Sequence, residues 1–586
     1  MRNFIFFSLS IFIYSCITTV DKPENYQLVI VETSDVHGAI FDYDFINDRN
    51  SSGSLSKVQT YLNDLRKDNN VILLDNGDIL QGQPIVYYSN YENTSETHIC
   101  SKIMNYMQYD VATIGNHDIE AGHKVYDKIN NEINFPWLAA NAINKSDGKP
   151  YFDPYSIINK DGIKIAVFGL ITPGVPDWLP EELWSGMEFE DMIVSAKKWV
   201  PKILEEEKPD LLVGLFHSGY DYSYGGLSGD TYKNENASLL VVQQVPGFDV
   251  VFVGHDHRTW NEKIENINGD EVIVLGPTSS ARQVVTANIE FNLNQEGKYE
   301  KQITGEVVEM NQYKSESLFE IEFNNEFLKV KEYVSKKVGE FENTIDAHKA
   351  LYGPSEIIDL VQQVQLEISN ADISMAAPLV YSSVIDSGPV YVRDMFKLYR
   401  FENFLYTLNL TGKEIDSYLE YSFGNWFNTM DNENDHLLRF KLDENNKLIY
   451  SERYNSYLLE SNFYNFDVAS GIKFVVDITK PINDKVSILS FSDNRKFYMD
   501  STYSVAVNSY RGNGGGGHLI NGVGLTKEEL LARRINSTEK DLRYYMMKWI
   551  EKKEIINPEI IGNWEIYPEE WWQKAKQKDK KLLKKE

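Results

Sequence analysis

Short apolar runs rich in β-branched residues recur along the first half of the chain and alternate with amphipathic stretches. Seven of these runs predict strands, at residues 28–33, 71–74, 111–114, 163–170, 211–216, 250–253 and 272–275. Strands that alternate with helices form βαβ units, in which the helices cover the faces of a layered sheet. The pattern therefore predicts an α/β domain over residues 25–312.

Polar side chains follow five of these strands directly, at the edge where open α/β sheets build their sites. Carboxylate oxygens, imidazole nitrogens and an amide oxygen are ligands for Zn²⁺, Mn²⁺ and similar cations. A single Asp-x-His pair arises by chance, and a lone histidine after a strand is more often part of a core. Five such segments in order instead indicate one site for two divalent metal ions. Its candidate ligands are Asp35, His37, Asp78, Asn116, His217, His255 and His257.

The charge of the chain limits its partners. Lys and Arg number 58 against 87 Asp and Glu, which gives a formal net charge of −29. A protein that grips polymeric nucleic acid carries a basic footprint, so that function is disfavoured. An acidic surface also repels phosphate substrates, so a phosphate site on this chain needs local positive charge of the kind that bound metal ions supply.

The first 24 residues read as an export signal. Arg2 is followed by a largely apolar run over residues 4–14, which is too short to span a bilayer. The run leads into Ile13-Tyr14-Ser15-Cys16, which resembles a bacterial lipoprotein box. We expect an exported protein, periplasmic or anchored to the outer membrane through a lipid on Cys16. The alternative is an ordinary secretory signal with a chance cysteine.

The second half of the chain has a different organisation. Residues 313–338 predict one polar amphipathic helix that connects two domains. Residues 339–553 predict a mixed α+β domain. Residues 554–586 are expected to be a tail, and we expect its end from Lys574 to be solvated and frayed, because seven of these thirteen residues are lysine.

Taken together, the five segments resemble the signature of the calcineurin-like metallophosphoesterases, whose domain is a four-layer α/β/β/α sandwich. Other segments resemble the exported two-domain enzymes of the 5′-nucleotidase family, whose C-terminal domain binds the nucleotide. In the first half these are Gly77-Asp78-Ile79-Leu80-Gln81-Gly82, Phe135-Pro136-Trp137-Leu138-Ala139-Ala140-Asn141 and Gly169-Leu170-Ile171-Thr172-Pro173. In the second half they are Phe401-Glu402-Asn403, Phe466-Asp467 and Asn508-Ser509-Tyr510-Arg511-Gly512-Asn513-Gly514-Gly515.

The resemblance implies how the metal ions are held. One ion would be bound by Asp35, His37, Asp78 and His257, and the other by Asp78, Asn116, His217 and His255. Such a pair activates a bridging water for in-line attack on phosphorus and neutralises the phosphoryl oxygens. His117 would stabilise the phosphoryl group or protonate the leaving oxygen, oriented by Glu120. The family often has Asp at the position of Glu120, and the alternative interpretation of Glu120 is a solvated carboxylate at a helix start.

The resemblance also suggests a substrate. Ser374-Met375-Ala376-Ala377-Pro378-Leu379 stands where many 5′-nucleotidases have Asn-Gly-Gly-Gly-Ile-Arg, and it resembles the bacterial 2′,3′-cyclic-nucleotide 2′-phosphodiesterase/3′-nucleotidases. We therefore expect a nucleotide substrate. Its base would lie between Phe466 and either Tyr510 or His518, with Arg511 in the same substrate-binding stretch.

Other functions fit the same residues. A 5′-nucleotidase or nucleotide-sugar hydrolase of this family is the nearest alternative, and a sulfur-carrier hydrolase on the same two domains is another. A surface lipoprotein that binds nucleotides without turnover is an alternative of a different class. A binding protein has no need for both Asp78 and His117, which favours an enzyme.

Overall fold

The computed structural model of the protein describes residues 22–452 and 455–583. The predicted signal segment and Cys16 lie outside these residues, so export and the lipid anchor stay predictions. Among the helices of the described residues, none combines the length and the apolar character that crossing a membrane requires.

Two six-stranded sheets form the centre of the first domain, and all seven predicted strands are present in them. The strand order in the first sheet is Tyr299–Glu309, Gln283–Leu293, Asn25–Thr33, Val71–Asp75, Val111–Thr113 and Trp137–Leu138. The strand order in the second sheet is Trp260–Glu265, Glu271–Gly276, Val250–Val253, Leu211–His217, Ile163–Ile171 and Tyr155–Lys160. The central strands of each sheet are parallel, so their carboxyl ends meet at one edge.

Alternate residues of these strands build three apolar layers. Leu28 and Ile30 of the first sheet pack between the sheets against Val213 and Phe252 of the second. The intervening residues face outward, where helices cover them. Helices Leu55–Leu65, Ile99–Met107 and His123–Glu132 cover the first sheet, and helices Met192–Glu206 and Ser238–Gln244 cover the second. This is the predicted four-layer α/β/β/α arrangement.

The segment between the domains differs from the prediction of one helix. It contains two helices, Ser317–Glu322 and Asn324–Val334, which are separated at Phe323. Phe319 and Phe323 both pack against the Tyr106 ring of the first domain, with centroid distances of 5.8 and 5.3 Å. The apolar side of the segment is therefore held on the first domain, and the break at Phe323 accommodates both rings.

The second domain has the predicted mixed α+β character. Its five-stranded sheet has the order Val468–Ser470, Ile373–Ala376, Thr502–Asn508, Leu405–Thr411 and Arg534–Ser537. The domain also contains two three-stranded sheets. The strand order in one is Gly388–Tyr391, Lys337–Phe341 and Ile555–Ile556. The strand order in the other is Val486–Phe491, Ile472–Asp477 and Trp564–Tyr567. The longer helices are Glu356–Ser369, Val392–Leu398, Gly412–Trp426, Lys527–Arg533, Leu542–Lys553 and Glu569–Asp579.

The prediction of a solvated end from Lys574 is wrong for the part that the structure describes. Strand Trp564–Tyr567 pairs in parallel with Ile472–Asp477, and helix Glu569–Asp579 follows it. The Asp579 carboxylate is fully buried, lies 2.5 Å from His436 Nδ1 and accepts a hydrogen bond from the Leu438 backbone N–H at 2.9 Å. A buried carboxylate with these partners anchors the last helix to the second domain.

A buried polar cluster joins the two domains. The Arg543 guanidinium, from the second domain, lies 5.0 Å from the Tyr87 ring centroid of the first domain. The Glu402 carboxylate is 3.6 Å from Arg543 Nη1 and accepts a hydrogen bond from Tyr91 Oη at 3.1 Å. Tyr87 Oη donates a hydrogen bond to Asp541 at 3.0 Å.

Candidate active site

The seven predicted ligands lie together at the carboxyl edges of the two sheets, at the last residue of a strand or shortly after it. Five of them have backbone φ angles in the left-handed region: Asp35 (51°), His37 (49°), Asp78 (59°), His255 (73°) and His257 (55°). Non-glycine residues seldom adopt this conformation, and clusters of it are typical of functional sites. The tight turns point side chains from separate strands toward one place.

Three of these side chains form a first metal-ligand group. Asp35, His37 and His257 each offer a ligand atom, and these atoms lie within 4.8 Å of one another. His37 Nδ1 is 3.0 Å from the Gln81 carbonyl oxygen, to which it can donate, and this leaves Nε2 as the ligand atom. Burial, together with His257, lowers the pKa of His37 to about 3, so the imidazole is in the neutral form that binds metal.

A second group contains Asp78, His217 and His255, whose ligand atoms also lie within 4.8 Å of one another. His217 Nε2 is 3.1 Å from Asp78 Oδ2 and 3.2 Å from Asn116 Oδ1, which brings the predicted amide ligand to the same place. Burial would raise the pKa of Asp78, but the neighbouring His217 and His117 hold it well below its ordinary value. The carboxylate is therefore ionised and can bind a cation.

Two glycines show how closely the backbone approaches these ligands. A Cβ atom added to Gly115 would lie 2.2 Å from Asp78 Oδ1. A Cβ atom added to Gly254 would lie 2.2 Å from Ser34 Oγ and 3.0 Å from Asp35 Oδ2. The donor set and this close packing fit two divalent cations.

Asp118 positions the site without being one of the predicted ligands. Its carboxylate is fully buried and accepts hydrogen bonds from four backbone N–H groups, at distances of 2.8 to 3.1 Å. Three of these groups belong to the turn at Asp78, Ile79 and Leu80, and the fourth belongs to Gly115. One side chain thus fixes the two turns that carry Asp78 and Asn116. Asp118 directly follows His117 in the sequence, but nothing there indicated these partners.

His117 and Glu120 lie beside the candidate metal ligands, on the short helix Asn116–Glu120. His117 Nδ1 is 2.5 Å from Glu120 Oε2, so Nε2 is the ring nitrogen left to face a substrate. Burial would lower the pKa of His117, but the carboxylates of Asp78 and Glu120 raise it to about 9. Glu120 is 6% exposed and is not a solvated carboxylate.

A cavity of about 490 Å³ lies between the two domains and includes the metal-ligand edge. Asn116, His255 and His257 line it from the first domain, and Tyr464 and Tyr510 line it from the second. The Trp178 ring, which also lines the cavity, stacks on His255 with a centroid distance of 5.4 Å. The cavity is therefore in contact with both the metal-ligand residues and a pair of aromatic residues.

Of the aromatic residues predicted to hold a base, the structure places only Tyr510 in this cavity. Phe466 is 1% exposed and stacks on Trp426 with a centroid distance of 5.3 Å, so it belongs to the core. Tyr464, two residues earlier, occupies the cavity instead. The segment Asn462-Phe463-Tyr464-Asn465-Phe466 contains three aromatic residues, and the sequence alone did not show which of them faces outward.

Arg511 and His518 are also buried and do not line the cavity. Arg511 is 1% exposed and forms a bidentate ion pair with Asp467, with distances of 3.0 and 2.8 Å. His518 is 1% exposed and packs against the rings of Tyr418 and Tyr421. Both side chains thus support the second domain from within, and the prediction that they contact substrate is wrong for this structure.

Comparison with known proteins matches both halves of the chain. Residues 28–259 match the calcineurin-like phosphoesterase family, and residues 337–521 match the 5′-nucleotidase C-terminal domain family. The trifunctional nucleotide phosphoesterase protein YfkN of Bacillus subtilis is 25% identical over 92% of this chain, which spans only 39% of that relative. A 2′,3′-cyclic-nucleotide 2′-phosphodiesterase/3′-nucleotidase of Yersinia enterocolitica is 25% identical over 94% of this chain and 89% of its own length.

The fold is shared with solved structures as well. The crystal structure of a putative 5′-nucleotidase from Staphylococcus aureus has a TM-score of 0.74 at 17% identity, and the match covers 92% of this chain and 99% of that one. Both domains are therefore found in the same order in this relative, and the resemblance predicted from the motifs is confirmed. The chain belongs to the calcineurin-like metallophosphoesterases that carry a 5′-nucleotidase C-terminal domain, and it is a phosphoric ester hydrolase.

Proposed function

We propose that the protein hydrolyses nucleotides, cleaving 2′,3′-cyclic phosphodiesters to 3′-nucleotides and then removing the 3′-phosphate. The observation that carries this proposal is that one cavity is lined both by candidate metal ligands of the first domain and by Tyr464 and Tyr510 of the second domain. A relative that is matched over 89% of its length is named for these two reactions. Leu379, from the segment that resembles that subgroup, also lines the cavity.

Two divalent cations bound by the two ligand groups would supply the activated water and the positive charge that phosphoryl transfer needs. His117 would donate a proton from Nε2 to the leaving ribose oxygen, because its Nδ1 is engaged by Glu120. In the cyclic substrate the leaving atom is the 2′ oxygen, and in the second reaction it is the 3′ oxygen. Glu120 would stabilise the imidazolium form before the transfer and keep the ring oriented.

Tyr464 and Tyr510 would bind the base through their ring faces. Stacking of this kind tolerates different bases, because every base has a π-face. Tyr464 lies in a one-turn helix, Phe463–Asn465, and Tyr510 lies in the short helix Ser509–Gly512 after the strand Thr502–Asn508. The two rings thus come from separate segments of the second domain.

The test compares the initial rate of 3′-AMP formation from 2′,3′-cyclic AMP with the initial rates of phosphate release from 3′-AMP and from 5′-AMP, using enzyme treated with chelator and then reloaded with Mn²⁺ or Zn²⁺. We expect the first two substrates to be hydrolysed faster than 5′-AMP, with all activity lost on chelation. The variant Tyr464→Ala should raise KM for nucleotides and spare p-nitrophenyl phosphate, which has no base.

Two outcomes would contradict the proposal. Faster hydrolysis of 5′-AMP than of the other two substrates would make the protein a 5′-nucleotidase. Equal effects of Tyr464→Ala on nucleotides and on p-nitrophenyl phosphate would remove base stacking from the mechanism. Phe466→Leu, a change in the core behind Tyr464, is the matched control for the effects of repacking.

A further inference from the structure

The charged side chains that line the cavity are mostly acidic. They include Glu120, Asp221, Glu235 and Asp256, whereas Arg258 is the one lysine or arginine among the described residues that line it. A substrate phosphate held at the metal ions is neutralised there. Any second phosphate on the same substrate would instead lie against these walls.

Three of the four carboxylates have partners that offset their charge. Glu120 is paired with His117, and Asp221 Oδ2 lies 4.0 Å from Arg258 Nη1. Asp256 accepts hydrogen bonds from Trp260 Nε1 and from two backbone N–H groups, at distances of 2.9 to 3.1 Å. Each of these acids is therefore screened by its own surroundings.

Glu235 differs from these three acids. Within the described residues, no donor contacts its carboxylate, although its backbone carbonyl accepts hydrogen bonds from Thr172 Oγ1 at 2.9 Å and Ser218 Oγ at 2.7 Å. These bonds fix the backbone on which the side chain stands. Burial and the nearby Asp177 raise the pKa of Glu235 to about 7, so the carboxyl is mostly ionised at pH 8.

Glu235 lines the same cavity as the two proposed base-binding residues, Tyr464 and Tyr510. It comes from the first domain, just before the helix Ser238–Gln244, whereas the two tyrosines come from the second domain. An unscreened carboxylate therefore faces the part of the cavity that would hold the nucleoside. A carboxylate there accepts hydrogen bonds from base or ribose donors and repels anionic groups.

We propose that Glu235 is a specificity-determining residue that makes the cavity reject nucleotides carrying a second phosphate beyond the one held at the metal ions. The inference rests on the proposed function for the identity of the substrate class. It does not depend on which phosphate, 3′ or 5′, is placed at the metal ions.

The experiment measures kcat/KM at pH 8 for 3′-AMP and for adenosine 3′,5′-bisphosphate, and for 5′-AMP and ADP, on metal-loaded full-length protein. The readout is the kcat/KM for the substrate with two phosphates divided by the kcat/KM for the corresponding monophosphate. Two unit negative charges about 6 Å apart, at an effective dielectric constant of about 40, repel with an energy that lowers affinity about tenfold. We expect Glu235→Gln to raise the ratio about tenfold, and Glu235→Lys to raise it further.

Glu205→Gln, on the exposed side of the helix Met192–Glu206, is the matched control and should leave the ratio unchanged. Calorimetric titration of the same ligands into the metal-loaded variants gives a second measurement that does not require turnover. A ratio that is the same in the original protein, Glu235→Gln and Glu235→Lys would overturn the inference. Preference for 5′-AMP would overturn the proposed function alone, because the ADP to 5′-AMP ratio would still report on Glu235.

Discussion

Replacing Arg511 with methionine should destabilise the second domain and weaken nucleotide binding together. The Arg511 guanidinium donates to both carboxylate oxygens of Asp467, to the carbonyl oxygen of Tyr464 at 3.0 Å and to that of Gly515 at 2.6 Å. It also donates to Asn465 Oδ1 at 3.2 Å. One buried cation therefore holds the segment before Phe466 against the glycine-rich segment after Tyr510.

The size of the effect follows from burial. Asp467 is 2% exposed, so removing its cation leaves a charge in the interior with Tyr418 Oη as its remaining side-chain donor. Breaking a buried ion pair in this way costs about 3–5 kcal/mol, whereas replacing both partners by apolar residues is often close to neutral. We therefore expect Arg511→Met to lower the unfolding free energy by about 3–5 kcal/mol. The double variant Arg511→Met with Asp467→Leu should recover most of this loss.

The loss of unfolding free energy in Arg511→Met should depend on pH with a definite sign. Burial would raise the pKa of Asp467, but Arg511 holds it below the ordinary value, so the ion pair stabilises the fold above the unfolded pKa. In Arg511→Met the burial remains and only the Tyr418 hydrogen bond opposes it, so we expect the folded pKa of Asp467 to become higher than the unfolded one. The variant then gains stability as pH falls through that raised pKa, so the loss should be smaller at pH 5 than at pH 8.

Urea unfolding followed by tryptophan fluorescence gives the stability, and KM for 3′-AMP beside p-nitrophenyl phosphate gives the effect on binding. The nucleotide KM should rise, because Tyr464 loses its backbone anchor, while p-nitrophenyl phosphate should be affected less. A loss of stability below about 1 kcal/mol, or a double variant no more stable than Arg511→Met, would refute the reasoning.

Three further changes test the metal site. Asp78→Asn should abolish activity and reduce bound metal, measured by elemental analysis; full metal content with normal turnover would remove Asp78 from the site. His117→Ala should lower kcat by about 10²–10⁴ with metal content retained, and metal loss would identify His117 as a ligand. Asp118→Asn should lower metal affinity, measured by competition with a chelator, because an amide cannot accept from all four N–H groups; unchanged affinity would contradict its positioning function.

The strands and the metal-ligand residues could be predicted from sequence for a physical reason. Strands buried on both faces are continuous apolar runs, and polar residues directly after such runs are placed at the sheet edge by the topology itself. The strands Gln283–Leu293 and Tyr299–Glu309 lay outside these predictions. The second of them alternates exposed and half-buried residues as an edge strand, so it lacks an apolar run.

The errors in the second domain have a different cause. Phe466 and Tyr464 lie two residues apart in an irregular segment, where no periodicity tells which ring faces the cavity. Arg511 looked suitable for binding an anion, but its partner Asp467 is 44 residues away and already neutralises it. Contacts at that separation are set by tertiary packing and cannot be read from local pattern.

At five left-handed turns, selection for stability and selection for metal binding favour different residues. These turns are at Asp35, His37, Asp78, His255 and His257. Each such conformation costs a non-glycine residue about 1–2 kcal/mol, so glycine at any of the five positions would relieve strain while deleting a ligand. A descendant protein that is no longer selected for hydrolytic activity would therefore become more stable each time glycine replaces one of these ligands. In such lineages we expect glycine to accumulate at these turns before the rest of the first domain diverges.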